Sequence, residues 1–139
     1  EENSLKTQAQ TLGIAERVKF VGRKTSAEMP AFLQSLDALI LPSRTLPTWK
    51  EQFGRILVEA MACGVPVIGS DSGEIPHVIG EAGAVFREDN AADLAQKLEQ
   101  ILDADQSKLA RVGRERVLEH FTQHKIAAET IKVYEQLVR

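Results

Sequence analysis

The chain has 139 residues, a length that suits one domain with a core of its own. Its net charge of −3 and its scattered lysines and arginines argue against nucleic acid or an anionic membrane as the main partner. With 43% hydrophobic and 27% charged residues, the composition is that of an ordinary globular protein.

Cysteine usage and hydropathy predict a cellular location. Cys63 is the single cysteine, so the sequence predicts no internal disulfide and a reducing compartment. Because Cys63 lies in an apolar stretch, we expect a buried structural thiol rather than a nucleophile. No stretch approaches the roughly 20 apolar residues of a transmembrane helix, and the first residues are polar, unlike a signal peptide. These features predict a cytoplasmic protein or a cytoplasmic piece of one.

The first two thirds of the chain alternate helices with short apolar strands. The predicted helices are Asn3–Leu12 with Gly13 as its stop, a short helix around Pro30, Gly54–Cys63 ended by Gly64 and Pro66, and one helical turn within Asp71–Gly80. The predicted strands are Arg17–Gly22, Asp37–Pro42, Pro66–Ser70 and Ala82–Arg87. The segment Ser43–Phe53 has no clear period and is predicted to be a loop.

Three consecutive helices are predicted to close the chain. They are Ala91–Asp103 capped by Asn90, Ser107–His120, and Gln123–Val138 capped by Thr122, each with an apolar stripe. Strands rich in Val, Ile and Leu that alternate with helices predict a parallel sheet of about four strands. Because a helix precedes the first strand, we expect earlier strands of the sheet to be missing.

Ligands of open parallel sheets bind at the carboxyl ends of the strands, and three segments are predicted to lie there. They are Gly22–Thr25, Ser43–Arg55 and Ser70–Gly73. The helix that starts at Gly54 has no Ser, Thr, Asp or Asn just before it to cap its free N–H groups. Free N–H groups at the positive end of a helix bind anions, most naturally phosphate.

Two glutamates accompany this helix. Glu51 precedes it, and Glu59 lies within its apolar run. A carboxylate can accept hydrogen bonds from two neighbouring hydroxyls, as a ribose or a sugar ring presents them. An anion site with such carboxylates would bind a nucleotide-sugar. The ordinary alternative is that Glu59 pairs with a Lys or Arg and that Glu51 is a surface charge, and the spacing alone favours this alternative.

Other kinds of site find little support in the sequence. His77, His120 and His124 lack the spacing of metal ligands. The glycine motifs of dinucleotide-binding proteins and P-loop NTPases are absent, as is the Gly-x-Ser-x-Gly motif of hydrolases.

The longer pattern resembles a known family. The chain contains EQFGRILVEAMACGVPVIGSDSGEIPHVIG, then AGAVF and NAADLAQKLEQIL. In these stretches it resembles the C-terminal domain of retaining glycosyltransferases of the GT-B fold, the large group 1 family (family 4). The resemblance extends to GIAERVKFVGRK and FTQHKIAAETIKVYEQL, so it covers nearly the whole chain. In this context the spacing of Glu51 and Glu59 is specific, and it reverses the preference for the ordinary alternative.

The resemblance implies a role for each matching position. Glu51 would bind the hydroxyls of the donor sugar and is expected to be catalytic, while Glu59 would bind the ribose of the nucleotide. The other expected donor-binding positions are the amides of Phe53 and Gly54 toward the sugar, Arg55 at the helix start, the amides of Ile56 and Leu57 toward the diphosphate, and Gly22 and Arg23 beside the base. The family implies no metal and no other cofactor.

The resemblance also implies that the chain is one part of a larger enzyme. Residues 1–139 are predicted to form a single Rossmann-like donor-binding domain, truncated at its N-terminus. The family's Arg and Lys that clamp the diphosphate, and the domain that binds the acceptor, would lie upstream. We therefore expect the fragment alone to be inactive, and the whole enzyme to transfer a sugar from a nucleotide-diphosphate sugar with retained anomeric configuration.

One segment departs from the family pattern, and two alternatives stay open. The family often has Gly-Gly followed by Glu after the strand at Pro66–Ser70, whereas here Gly73 is followed by Glu74 and His77 takes the usual Glu position. The contribution of that segment is therefore undecided. The alternatives are a non-catalytic nucleotide-sugar-binding or interaction module, and a GT-B relative such as a sugar-nucleotide epimerase.

Overall fold

The computed structural model describes residues 2–138, which form a parallel sheet with helices on both faces. The helices are α1 (Glu2–Thr11), α2 (Met29–Leu33), α3 (Arg55–Ala62), α4 (Ile75–Ile79), α5 (Ala91–Asp103), α6 (Gln106–His120) and α7 (Gln123–Leu137). The strands are β1 (Leu39–Leu41), β2 (Val67–Ser70) and β3 (Gly83–Phe86). Their order in the sheet is β1-β2-β3, and both pairs are parallel.

The central strand β2 is buried along its whole length. Val67 packs with α3 and α4 on one face of the sheet, and Ile68 packs with residues of α5 on the other. Burial on both faces explains why the strands are continuous apolar runs rather than alternating patterns. The predicted α/β class with a parallel sheet is confirmed.

The predicted helix ends are confirmed to within one residue where side chains cap them. Asn90 accepts a hydrogen bond from the amide of Asp93, and Thr122 accepts one from the amide of Lys125. Gly64 follows α3 with a φ of +76°, the left-handed conformation expected of a helix-ending glycine.

The predicted strand Arg17–Gly22 is wrong, and the described sheet therefore has three strands rather than about four. Residues Ala15–Arg17 form a 3₁₀ turn, and the residues that follow have no regular structure. A strand is stabilised by hydrogen bonds to a neighbouring strand, and no strand within residues 2–138 pairs with this segment. Its apolar side chains are accordingly exposed, as Phe20 and Val21 show.

The apolar stripe predicted for the last helix does not join the core. Val117 of α6 and Ile101 of α5 are buried as expected. By contrast, α7 has no buried residue in its described length, and its large apolar side chains, such as Tyr134 and Leu137, face solvent. Neither α7 nor any other helix in residues 2–138 is long and apolar enough to cross a bilayer.

Candidate functional site

The loops that follow β1 and β2 lie side by side at the carboxyl edge of the sheet. The two strands pair in parallel with Leu41 opposite Gly69, so both strands end at the same edge of the sheet. The hydroxyl of Ser70 donates to the carbonyl of Ser43 over 2.6 Å. This hydrogen bond, together with a 2.9 Å contact between the hydroxyls of Thr45 and Ser72, joins the two loops.

Gly54 is the residue that allows α3 to begin at this edge. Its φ of +76° and ψ of +50° lie in the left-handed region, where a side chain is disfavoured. A Cβ at this position would lie 3.0 Å from the side chain of Leu57 and 3.2 Å from that of Leu41. Both the backbone conformation and the close packing against Leu57 and Leu41 therefore favour glycine.

Glu51 lies at the N-terminal end of α3. One carboxylate oxygen accepts the amide of Gly54 at 3.1 Å and lies 3.5 Å from the amide nitrogen of Phe53. The other accepts the hydroxyl of Ser43 at 3.2 Å. As expected, no Ser, Thr, Asp or Asn caps this helix, and its N-cap residue is Gly54. Glu51, three residues earlier, instead accepts the amide of Gly54 itself. A negative charge is favourable there, where the helix dipole is positive.

Glu59 is held much more loosely, one turn farther along α3. Its side chain is 39% exposed and lies 3.3 Å from the guanidinium of Arg55, whose own side chain is 86% exposed. This pair is the ordinary alternative that the sequence left open for Glu59. An exposed pair of this kind contributes about 0.5 kcal/mol or less, so Arg55 does not prevent Glu59 from binding another group.

A cleft of about 390 Å³ lies between α2 and α3, and Glu59 is on its wall. The cleft is lined by Lys24, Ser26, Met29, Pro30, Leu33, Arg55, Glu59, Ala62 and Cys63. Gly22 and Arg23 are not among these residues; they lie in the exposed segment just before Lys24. Cys63 is only half-buried and lines the cleft, so the expectation of a buried thiol is wrong.

The rim of the cleft is held by a pair that the sequence reasoning missed. The carboxylate of Glu28 accepts the amide of Thr25 at 2.9 Å and its hydroxyl at 2.7 Å. In return, the amide of Glu28 lies 3.3 Å from the Thr25 hydroxyl oxygen. The hydroxyl bond, followed by the amide bond, lowers the pKa of Glu28. The pattern Thr-x-x-Glu before an apolar run is the sequence signal of this capping box.

The remaining expected site positions contribute backbone rather than side chains, or lie apart. Leu57 is fully buried, and its amide donates to the carbonyl of Gly54 at 2.9 Å, while Ile56 is half-buried against the core. Phe53 is partly exposed, with its ring edge-on to Phe121. His77 is exposed beside Glu74. Within residues 2–138, no group of three or more His, Cys, Asp or Glu side chains could hold a metal ion.

Comparison with known proteins identifies the family. Residues 1–116 match the family described as glycosyl transferases group 1. The chain belongs to this family. The expected resemblance and the fold that it implied are thereby confirmed.

Curated members of the family are similar to nearly the whole chain. A D-inositol 3-phosphate glycosyltransferase of Streptomyces bingchenggensis is 33% identical over 135 residues, which is 94% of this chain and 28% of that protein. An N-acetyl-alpha-D-glucosaminyl L-malate synthase of Bacillus anthracis is 33% identical over 132 residues, 92% of this chain and 33% of that protein. The chain thus spans about a third or less of the length of these relatives.

A solved structure to which this chain is similar was determined with a ligand. HepE of Anabaena, in complex with UDP-glucose, superposes with a TM-score of 0.80 at 25% identity, covering 96% of this chain and 36% of that one.

Proposed function

We propose that this chain is the donor-binding part of a retaining glycosyltransferase and that it holds a nucleotide-diphosphate sugar along α3. The observation that carries the proposal is the position of two carboxylates, one within a short helix and the other in the segment just before it. Glu59 lines a cleft of about 390 Å³, and Glu51 lies at the N-terminal end of the same helix, beyond Arg55. The amides of the first helical turn, which no side chain caps, lie between these two positions along the chain.

The cleft suits the nucleoside. Its volume lies within the range of small-molecule sites, which are mostly apolar with a few polar groups. Met29 and Leu33 give it apolar walls for a base, and Glu59 offers a carboxylate to the two ribose hydroxyls. The base is proposed to lie beside the segment that contains Gly22 and Arg23, which leads directly into the cleft-lining residue Lys24.

The start of α3 suits the diphosphate and the sugar. The amides of Arg55 and Ile56 are in the first turn, where helices have N–H groups without an intrahelical acceptor. These groups and the helix dipole favour a phosphate. Glu51 keeps unused lone pairs beside the amides that it accepts, and these can receive hydroxyl donors of the sugar.

The proposed chemistry follows from that arrangement. As the bond between sugar and diphosphate breaks, negative charge grows on the leaving phosphate, and the helix N-terminus stabilises it. Positioning the donor supplies a further part of the acceleration. We propose that the transfer needs no metal and retains the anomeric configuration, that the acceptor is bound by another part of the whole protein, and that this chain by itself is inactive.

Cys63 provides a direct test of the nucleotide site, because its thiol lines the cleft. In the intact protein, alkylation of Cys63 is followed by peptide mass spectrometry with UDP, ADP or GDP present. We expect at least one of these nucleotides to slow the reaction, and Glu59→Gln to weaken the protection. Unchanged alkylation with all three nucleotides would overturn the proposed site.

The transfer reaction is tested by its product. NMR of the product made by the intact protein, supplied with a nucleotide-sugar and an acceptor, reports the anomeric configuration. We expect the anomeric configuration to be retained and the rate of transfer to be unchanged by a metal chelator. An inverted product or a chelator-sensitive reaction would contradict the corresponding part of the proposal.

A further inference from the structure

The loop after β2 holds the backbone of Glu51. The amide of Glu74 donates to the carbonyl of Glu51 over 3.1 Å. Gly73 lies so close that a Cβ added to it would be 1.9 Å from the same carbonyl oxygen and 3.2 Å from the Glu51 amide nitrogen. These two contacts connect residues that are more than twenty positions apart in the sequence.

Gly73 has little freedom to retreat from this contact. The residue before it, Ser72, is 1% exposed, and its hydroxyl lies 2.9 Å from that of Thr45. Two residues after it, Ile75 is fully buried at the start of α4. The φ of Gly73 is +56°, a conformation that side chains rarely adopt. A side chain at position 73 would therefore displace Glu51 rather than move itself.

We propose that Gly73 is a positioning residue that sets where the Glu51 carboxylate stands. Because it has no side chain, Gly73 allows the loop after β2 to come within hydrogen-bonding distance of the Glu51 backbone. The amide of Glu74 then holds that backbone in place by donating to the Glu51 carbonyl. This inference rests on the proposed function, in which Glu51 binds the sugar and Glu59 the ribose. It predicts that Gly73 affects recognition of the sugar and leaves recognition of the nucleotide unchanged.

The experiment compares the affinities of the intact protein for a nucleotide-sugar and for the matching nucleotide. UDP, ADP and GDP and their glucose conjugates are titrated calorimetrically. Sugar recognition is measured by a ratio, which is the dissociation constant of the nucleotide divided by that of the matching nucleotide-sugar. Loss of hydrogen bonds between a sugar and a charged group weakens binding by roughly 10- to 100-fold. We expect Gly73→Ala to lower the ratio by about 10- to 100-fold, as Glu51→Gln does, with the dissociation constant of the nucleotide unchanged.

Gly13→Ala is the matched control, since Gly13 has a similar φ of +67° but no atom within 4 Å of an added Cβ. It should leave the ratio unchanged. The double variant Gly73→Ala/Glu51→Gln should lose no more sugar recognition than Glu51→Gln alone, because both changes remove the same interaction.

A second pair of variants tests the contact without a Cβ at position 73. Glu74→Pro replaces the amide hydrogen that binds the Glu51 carbonyl with a ring carbon, which removes the hydrogen bond and pushes the carbonyl away. The φ of −87° at this position is negative and near the outer limit of what proline adopts. Glu74→Ala keeps the amide. We expect the ratio to fall in Glu74→Pro and to stay at the wild-type value in Glu74→Ala, with circular dichroism showing both to be folded.

The outcomes separate this inference from the proposed function. If the wild-type protein binds none of the six ligands, or if Glu51→Gln leaves the ratio unchanged, the proposed function fails and the inference fails with it. If Glu51→Gln lowers the ratio while Gly73→Ala and Glu74→Pro do not, the inference alone is wrong. Equal weakening of nucleotide and nucleotide-sugar by Gly73→Ala would likewise overturn it.

Discussion

The glutamate that precedes α3 and the glutamate near the middle of α3 are held in different ways. At the N-terminal end, Glu51 is half-buried, accepts the amide of Gly54 and the hydroxyl of Ser43, and has its backbone fixed by the loop after β2. Near the middle of the helix, Glu59 forms an ion pair with Arg55, whose side chain is largely in solvent. Both glutamates are half-buried, but Glu51 belongs to a hydrogen-bond network before the helix, whereas Glu59 forms an ion pair with a largely exposed arginine near the middle of the helix.

This difference separates orientation from binding. A group that must be placed accurately relative to a reacting bond benefits from being ordered in advance, because no further entropy is lost when the substrate arrives. A group that only binds can order with its ligand. In the proposed function, Glu51 faces the reacting sugar and Glu59 faces the distant ribose, so the fixed carboxylate is the one nearer to the chemistry.

The largest expected effect is on turnover when the fixed carboxylate is neutralised. Glu51→Gln keeps the size of the side chain but removes its charge, and hydrogen bonds to a charged group contribute about 1.5–3 kcal/mol. We expect kcat/KM of the intact protein to fall by about 10- to 100-fold, measured by steady-state kinetics with the nucleotide-sugar. Wild-type kinetics in this variant would remove Glu51 from the mechanism. Glu135→Gln, in the exposed part of α7, is a matched control and should not change the rate.

The next effect is on stability, at the residue that starts the helix. Gly54→Ala places a Cβ in a left-handed position within contact distance of Leu57 and Leu41, and we expect it to cost about 2–3 kcal/mol of the free energy of unfolding. Gly13→Ala has a similar φ without those contacts and should cost about 1 kcal/mol. Urea unfolding, followed by circular dichroism, measures both. Equal losses in the two variants would show that packing around Gly54 contributes nothing.

A smaller effect is expected at the loosely held carboxylate. Glu59→Gln should weaken binding of the nucleotide by about 10-fold, near the lower limit for hydrogen bonds to a charged group, and should leave the free energy of unfolding unchanged. Calorimetric titration of the intact protein with the nucleotide measures it. If the loss of affinity appeared for the nucleotide-sugar but not for the nucleotide, the assignment of Glu59 to the ribose would be wrong.

Removal of the ion-pair partner should change little. Arg55→Ala breaks the pair with Glu59, and because Arg55 is largely exposed and Glu59 partly exposed we expect the free energy of unfolding to change by less than about 0.5 kcal/mol. Thermal unfolding at low and high salt checks this expectation. A larger, salt-dependent loss would mean that Glu59 is held as firmly as Glu51. The proposed contrast between the two glutamates would then be wrong.

The smallest effect concerns pH at the rim of the cleft. The hydroxyl and amide of Thr25 lower the pKa of Glu28 in the folded state, so this interaction adds stability at pH values above the unfolded pKa and is lost as pH falls through the folded pKa. Thr25→Ala should raise the pKa of Glu28 toward its ordinary value, as NMR titration of the carboxyl group would report. An unchanged pKa would contradict the capping box.

Much of the helical structure was predictable because its signals are local. Asn90 and Thr122 cap their helices as expected, and Gly64 ends α3, since each residue acts on atoms only a few positions away. The capping box of Thr25 and Glu28 carries the same kind of signal and could have been found. The strand expected at Arg17–Gly22 could not be judged locally, because a strand depends on a partner elsewhere in the chain.

For the site, the sequence pattern located the carboxylates but not what holds them. The sequence singled out Glu51 and Glu59, but their spacing alone favoured the ordinary alternative of an ion pair and a surface charge. The family resemblance reversed that preference and added their roles. The contact of Gly73 with the Glu51 backbone and the hydroxyl bond from Ser43 depend on how the loops after β1 and β2 meet in space. No periodicity or spacing in one sequence records such a meeting, so these contacts required the structure.

The hydrogen bond from Ser70 to Ser43 anchors the root of the loop that carries Glu51. Pro42, which follows β1, has no N–H to extend the backbone ladder, and the Ser70 hydroxyl supplies a cross-link one residue later. Ser70 is fully buried, so if the loop drifted away from the sheet its hydroxyl would be left without a partner, which costs about 1–3 kcal/mol. The cost of leaving this one buried hydroxyl unpaired therefore favours the position of the loop, and of Glu51 with it, at the edge of the sheet.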